Sequence, residues 1–147
     1  MSDTPAHAPD HVRWPHDVAA AIATEATRTY PAECCGLLLG SGDDVAEACP
    51  IDNAEDEARR PRAYLLAPGA YRRAEAQAHD RGLDIVGVFH SHPDHVAEPS
   101  ETDLAEAWPG WLYVIVPVEE GRAGVARAWR LRADRSAFDP VDLIHVA

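Results

Sequence analysis

The segment VGVFHSHPDHVAEPSETDLAEAW, residues 86–108, constrains the fold more than any other part of the chain. Its apolar beginning is typical of a buried strand, and that strand carries two histidines, His90 and His92, one residue apart. The proline that follows has no backbone N–H to continue a strand ladder, so the chain is expected to turn away at once. A polar loop then leads to Ser100, where a short helix is predicted to begin. The segment therefore predicts a strand, a loop and a helix in close succession.

Three side chains of this segment have the types and spacing of metal ligands. Side chains at positions i and i+2 of a strand point to the same face, with Cα atoms about 6.5–7 Å apart, so His90 and His92 can converge on one ion. Asp103 lies in the first turn of the predicted helix, where its carboxylate can swing back as a third ligand. Two neutral nitrogens and one carboxylate suit Zn²⁺ with a fourth position left open for water, which is the arrangement of a catalytic site.

Simpler interpretations exist for each of these residues. A single histidine on a strand is more often a packed or surface residue than a ligand, and Ser100 with Asp103 forms the S-x-x-D pattern of a helix capping box. However, the whole pattern H-x-H-P-x₆-S-x-x-D is expected by chance at only about one in a million starting positions in a chain of this composition. The capping and ligand interpretations are also compatible, because Ser100 can start the helix and still face the metal.

Glu33, in the stretch YPAECCGLLLG, is the candidate general base. Zinc lowers the pKa of a bound water toward about 7, and a carboxylate must then take the proton and pass it to the leaving group. Glu33 stands where a predicted helix has ended and a buried strand begins, so its side chain can reach over the edge of a sheet. On its own it is interpreted as a surface loop residue, because its long separation from His90 gives no geometric information.

The order of elements predicts a single domain of mixed α/β type. A chain of 147 residues suits one hydrophobic core. Residues 1–13 are expected to form a disordered polar arm, and residues 14–147 the domain. Helices are predicted at residues 14–31, 68–82 and from 100 to 108, and strands at 35–40, 45–51, 63–68, 83–92, 110–118, 124–132 and 138–147.

Composition limits the partners and the compartment. The net charge is −12 and the chain contains no lysine, which argues against binding to nucleic acid or to an anionic membrane surface. No apolar run is long enough to span a bilayer, and the first residues lack the apolar segment of a signal peptide. Three cysteines, two of them adjacent, offer no disulfide framework, which favours the cytoplasm. The acidity fits either a salt-rich cytoplasm or an ordinary acidic protein, and the oligomeric state is not indicated.

The motifs YPAECCGLLLG and VGVFHSHPDHVAEPSETD together resemble the JAMM/MPN+ family of zinc metallopeptidases, from about residue 14 to about residue 131. The resemblance implies a mixed sheet with flanking helices, similar to the cytidine-deaminase fold. It also implies one zinc ion per chain and assigns a role to each candidate residue. The zinc ligands would be His90, His92 and Asp103, the general acid/base Glu33, and the oxyanion-stabilising hydroxyl Ser100.

The doubled-cysteine form ECCGLL with GVFHSHP looks most like the bacterial branch of that family. The likeness implies hydrolysis of an amide or isopeptide bond at the C-terminal tail of a small ubiquitin-fold sulfur-carrier protein, exposing a Gly-Gly end. Such an extended tail can lie along a sheet edge as an added strand. Two other interpretations remain open, a non-catalytic zinc-binding interaction module and a RadC-like protein, whose histidine–aspartate motif is similar.

Overall fold

The computed structural model describes residues 10–147, which form three α-helices, one 3₁₀ turn and eight strands. No helix of this part of the chain combines the length and the apolar character needed to cross a bilayer. The helices are α1 (His16–Thr29), α2 (Pro68–Asp80) and α3 (Glu101–Glu106), and the 3₁₀ turn spans Glu57–Arg59. The strands are β1 (His11–Pro15), β2 (Cys35–Ser41), β3 (Asp44–Ile51), β4 (Asp84–Pro93), β5 (Leu112–Glu119), β6 (Arg122–Ala123), β7 (Arg127–Leu131) and β8 (Phe138–Val146).

The strands of residues 10–147 form one mixed sheet that closes on itself. Hydrogen-bonded neighbours follow the order β4-β2-β3-β1-β8-β7-β5-β6, and β4 also pairs with β5. The pairs β4–β5, β1–β3 and β1–β8 are parallel, and the other pairs are antiparallel. The predicted mixed α/β fold is therefore confirmed, and β4, the strand of the two histidines, has a partner on each side.

Hydrophobic residues pack on both faces of this sheet. Helix α1 covers one face, where its buried Ile22 and Ala26, four residues apart, share a core cluster with Phe89 of β4. Helix α2 covers the other face, where its buried Ala78 belongs to a second cluster with Val88. Because successive side chains of a strand point to opposite faces, Val88 and Phe89 enter different clusters.

The same alternation along β4 decides which way the two histidines face. His90 and His92 are two and four residues beyond Val88, so all three side chains lie on the α2 side of the sheet. Both imidazoles are almost completely buried, at 1% and 5% exposure. Two polar rings at the end of a core strand require polar partners, because unpaired buried polar groups are costly.

The first strand overlaps the segment predicted to be a disordered arm. Strand β1 begins at His11 and pairs in parallel with β8, so the prediction of disorder is wrong for residues 11–13. The physical reason is the alternation of apolar and polar residues in HVRWP, which buries Val12 and Trp14 on one side of the strand. Residues 1–9, the rest of the predicted arm, lie outside the described residues.

The strand predicted at residues 63–68 is also wrong. This stretch runs from the 3₁₀ turn to α2 without strand pairing, and the side chains of Tyr64 and Leu66 pack against the α2-side core. A short apolar run is compatible with a buried strand but equally with a loop that lines the core. The other predicted elements are present, with α3 ending at Glu106 rather than 108.

Candidate active site

The two histidines at the end of β4 bring their outer ring nitrogens together. The Nε2 atoms of His90 and His92 lie 3.1 Å apart. Nδ1 of His92 lies 2.8 Å from the carbonyl oxygen of Val96, to which it can only donate a hydrogen bond. That bond fixes the tautomer and leaves the Nε2 lone pair of His92 free for a metal ion. The ring of His90 stacks on Tyr64 instead, with centroids 4.6 Å apart.

Asp103 completes the group from the first turn of α3. Its Oδ2 atom lies 3.3 Å from Nε2 of His90 and 3.1 Å from Nε2 of His92. The same oxygen accepts the backbone N–H of Ser100 at 2.9 Å, which fixes the direction of the carboxylate. The capping box fixes the start of this short helix, and its hydrogen bonds also orient the third candidate ligand.

The spacing of these three atoms fits a zinc ion. A tetrahedral ion with bonds of about 2.0–2.1 Å holds its ligand atoms roughly 3.3 Å apart, close to the observed separations of 3.1–3.3 Å. Within residues 10–147, the group formed by His90, His92 and Asp103 is the one set of three acidic, histidine or cysteine side chains that can hold a metal ion. Two nitrogens and one oxygen also match the donor types that zinc accepts in catalytic sites.

The protonation states of His90 and Asp103 suit a cation. Burial lowers the pKa of His90, so its imidazole is neutral and can offer a lone pair. Burial alone would raise the pKa of Asp103, but its hydrogen bonds to His90 and His92 outweigh burial and hold this pKa far below its ordinary value. Asp103 is therefore a carboxylate throughout the physiological range, which supplies the negative charge that a divalent ion requires.

Glu33 lies immediately before β2, the strand that pairs with β4. The partner of His90 in that pairing is Cys35, two residues after Glu33. Glu33 is only 5% exposed, and its Oε1 atom has no hydrogen-bond partner within the described part of the chain. Burial raises the pKa of Glu33 to about 8, and the charges of His92 and Asp103 also act on it. A buried carboxyl group without a partner, within electrostatic reach of the ligand group, is suited to proton transfer.

Ser100 is the N-cap of α3. Its Oγ atom accepts the backbone N–H of Asp103 at 3.0 Å, and its side chain is exposed. A hydroxyl group that accepts one hydrogen bond still has its own O–H to donate. The capping geometry therefore leaves the Ser100 proton available to a substrate oxygen.

Three other residues near the two motifs in sequence, His95, Cys34 and Cys35, do not belong to the candidate ligand group. His95 is exposed in the loop after β4 and is not part of the ligand group. Cys34 and Cys35 are buried, and burial raises the pKa of both thiols, to about 11 and about 12. Both cysteines are therefore small hydrophobic residues with protonated thiols rather than nucleophiles.

Residues 15–132 of the sequence match a family described as prokaryotic homologs of the JAB domain, Prok-JAB. The chain belongs to this family. The predicted membership in the JAMM/MPN+ metallopeptidase family is confirmed by this match, which covers nearly the same residues as the resemblance.

Two relatives and one solved structure extend the comparison of this JAB domain. A desampylase from Haloferax volcanii is 41% identical over 88 residues, which cover 58% of this chain and 62%, less than two thirds, of that protein. A CysO-cysteine peptidase from Mycobacterium tuberculosis is 31% identical over 131 residues, 87% of this chain and 88% of that protein. The solution structure of a protein from Salinibacter ruber is 42% identical, with a TM-score of 0.73 over 92% of each chain.

Two residues beside the site of this JAB domain were missed by reasoning from sequence. Tyr64, which stacks on His90, lay in a stretch predicted to be a strand. Asn53 donates a hydrogen bond to the carbonyl oxygen of Glu33. The available signal for Asn53 was its position after a strand, in a polar loop, where asparagine side chains commonly bond to the backbone.

A cleft of about 600 Å³ borders the site on the Tyr64 side. Trp108 stands at its rim with 63% of its surface exposed. The cleft offers a mostly apolar surface, and Tyr64 in its wall stacks on the candidate ligand His90. Its aromatic lining consists of Tyr64, Tyr71, Trp108, Trp111 and Tyr113.

Proposed function

We propose that this JAB domain is a zinc-dependent peptidase that cleaves an amide or isopeptide bond at the C-terminal tail of a small ubiquitin-fold sulfur-carrier protein. The observation that carries the proposal is the convergence of three ligand atoms within 3.3 Å of one another, with a buried carboxyl group in electrostatic reach. The names of the two relatives, desampylase and CysO-cysteine peptidase, support the substrate class.

The metal would be one zinc ion per chain, held by His90, His92 and Asp103. When bound, zinc supplies Lewis-acid polarisation of a carbonyl group and a water of lowered pKa. Three protein ligands leave a position for that chemistry, whereas structural zinc sites are usually closed by four. The observed ligand spacing and the ionised state of Asp103 support this assignment.

Glu33 would serve as the general base and then as the general acid. Its carboxylate accepts a proton from the attacking water and delivers it to the departing amine, so one residue serves both half-steps. A neighbouring cation favours the ionised form of a carboxyl group, so an occupied metal site lowers the pKa of Glu33 from its value of about 8 toward the operating pH. Its burial keeps bulk water from competing for the proton.

The substrate tail would approach as an extended chain in which Gly-Gly precedes the bond to be cleaved. It cannot pair with β4, because β2 and β5 occupy both sides of that strand. Strand β3 pairs with β1 at a single position, so most of its outer side has no strand partner within the described residues. That edge ends at Ile51, which is opposite Cys35 and therefore close to Glu33 in the sheet. Its open backbone groups are suited to an added strand.

The three cysteines are free, which fits a reducing cytoplasm.

The direct test is incubation with a Gly-Gly-ended ubiquitin-fold carrier that has one residue added to its tail. We expect about one zinc per chain by metal analysis, and mass spectrometry should show the carrier ending in Gly-Gly. A chelator should stop the reaction, and added zinc should restore it. The closed sheet has its own core, so circular dichroism should show that the chelated protein stays folded. An intact carrier after incubation with the zinc-loaded protein would contradict the proposal.

Ser100→Ala should slow turnover by about 10²–10³-fold, because the hydroxyl would donate to the oxyanion that develops on the scissile carbonyl. The loss of the N-cap should lower the free energy of unfolding by only about 1 kcal/mol, which thermal unfolding measures separately. Ser100→Thr keeps both the hydroxyl and the cap and is the matched control, with near-normal turnover expected. A wild-type rate in Ser100→Ala would leave Ser100 as a helix cap alone.

A further inference from the structure

Asn53 lies in the loop between β3 and α2, and its side-chain amide makes four hydrogen bonds. Nδ2 donates to the carbonyl oxygens of Glu33, at 3.1 Å, and of Ala63, at 3.0 Å. Oδ1 accepts from the backbone N–H groups of Glu55, at 3.0 Å, and of Leu65, at 3.1 Å. A carboxamide has two N–H donors and two acceptor lone pairs, so Asn53 is fully satisfied and only one orientation of its amide fits.

These bonds join two parts of the candidate site that are distant in sequence. One part is Glu33, whose own N–H donates to the carbonyl oxygen of Arg60 at 2.7 Å. The other part is the stretch that holds Tyr64 against the ring of His90. The backbone on both sides of Tyr64 is bonded by Asn53, so a single side chain holds both the candidate base and the residue that stacks on a candidate ligand.

The peptide unit between Glu33 and Cys34 is held at both of its polar atoms. Its carbonyl oxygen accepts the hydrogen bond from Asn53, and its N–H donates to Oγ of Ser91 at 2.8 Å. Ser91 lies between the two histidines on β4, so this second bond ties the unit to the metal strand. Without the bond from Asn53 the carbonyl side of the unit would be unheld, so the direction in which the Glu33 side chain leaves the backbone would be less restricted.

We propose that Asn53 is a positioning residue for the reaction: its amide aims the Glu33 carboxylate at the metal site and keeps Tyr64 on His90. The inference rests on the proposed function, in which Glu33 is the base. Asn53 acts through Glu33 and has no contact with the three candidate ligands in its own set of hydrogen bonds. A displacement of about 1 Å at a reacting group can cost about 100-fold in rate, so a backbone bond at the base is a sensitive control point.

Substitutions at position 53 can separate the role of the amide N–H donors from that of the amide oxygen. Asn53→Asp keeps an acceptor oxygen for the N–H groups of Glu55 and Leu65. It replaces Nδ2 by an oxygen that faces the carbonyl oxygens of Glu33 and Ala63, so two donated bonds become repulsive contacts. Asn53→Ala removes all four bonds and loosens the whole loop. The aspartate variant therefore tests the hold on Glu33 with less damage to the loop.

The experiment measures turnover, zinc content and backbone amide resonances on the full chain. The probe is the Gly-Gly-ended carrier with one added residue. For Asn53→Asp we expect kcat to fall by about 10- to 100-fold with little change in KM and normal zinc content. In ¹⁵N-resolved spectra the Cys34 amide, which shares its peptide unit with the Glu33 carbonyl, should shift, while the Leu65 amide stays protected from hydrogen exchange.

The control is Arg62→Ala, which removes a contact inside the same loop, from Arg62 to the carbonyl oxygen of Ala58, without affecting the bonds of Asn53. Its kcat should equal that of the wild type. A normal kcat in Asn53→Asp with a shifted Cys34 resonance would overturn the inference, as would a rate loss fully explained by zinc loss or unfolding. Inactive wild-type protein, or full activity in Glu33→Gln, would instead contradict the proposed function.

Discussion

Replacing Glu33 by glutamine is expected to lower kcat for carrier cleavage by about 10²–10⁴-fold while zinc content stays at the wild-type level. Glutamine has nearly the same shape as glutamate but cannot accept and return a proton at physiological pH. Glu33 is not part of the candidate ligand group, so its replacement leaves the three ligand atoms in place. The result separates a peptidase from a non-catalytic zinc-binding module, because only the peptidase needs this proton transfer.

The measurement is steady-state cleavage of the carrier by wild-type protein and variant, with zinc determined on the same samples. Glu75→Gln is the matched control, since Glu75 is an exposed glutamate of α2 that belongs neither to the candidate ligand group nor to the edge of β3. Normal turnover is expected for this control. A Glu33→Gln variant that cuts the carrier at the wild-type rate would exclude Glu33 as the base.

The same substitution has a companion effect on the metal-free fold. Burial raises the pKa of Glu33 from 4.5 to about 8, so the folded state keeps a proton that the unfolded chain releases between these values. The stabilising contribution of the protonated carboxyl is complete below pH 4.5 and is lost as the pH rises through about 8. Glutamine does not titrate. The stability of chelated Glu33→Gln relative to chelated wild type should therefore rise between pH 5 and pH 8, on the order of a few kcal/mol, in thermal unfolding.

The candidate ligands were predictable from sequence because their geometry is local. His90 and His92 are two residues apart on one strand, and strand alternation alone places both on one face. Asp103 follows after a loop whose end is marked by the capping pattern at Ser100, which also sets the direction of its carboxylate. The distances within this group arise from short-range rules.

The position of Glu33, in contrast, depends on long-range strand pairing. It precedes His90 by more than fifty residues, and no spacing rule relates a loop residue to a distant strand. It comes near the ligand group because β2 pairs antiparallel with β4, in a register that places Cys35 opposite His90. That register follows from the pairing of the whole sheet, so position in the sequence made Glu33 only a candidate, and the family resemblance implied its role.

The contacts of Asn53 and Tyr64 could not be predicted from the sequence. Tyr64 lies in an apolar run that was predicted to be a strand, but whether such a run pairs as a strand or lines a cleft depends on which strand edges remain free. The hydrogen bonds of Asn53 link backbone groups up to 20 residues away, and such bonds leave no periodic pattern. Strand β1 differs, because the alternation in HVRWP is a local signal, whereas its pairing with β8 joins segments from opposite ends of the described residues.

Asp103→Asn is expected to weaken zinc binding by more than about 100-fold and to reduce cleavage to background when zinc is limiting. Substitutions of residues that merely support a ligand typically cost 10- to 100-fold in metal affinity, so loss of a charged ligand should exceed that range. Asparagine keeps an oxygen that can accept the N–H of Ser100, and Oγ of Ser100 still accepts the backbone N–H of residue 103. The helix start is thus retained while the negative charge is removed.

Competition with a chromophoric chelator measures the affinity, and thermal unfolding in excess chelator checks the fold. Glu101→Gln is the matched control, because Glu101 is the other acidic residue in the first turn of α3 and belongs to no candidate ligand group. The control removes the same charge from the same turn, so a general electrostatic effect would weaken zinc binding in both variants. If Asp103→Asn binds zinc as tightly as Glu101→Gln does, the carboxylate is a helix cap that happens to face two histidines, and the metal site must be assigned to other residues.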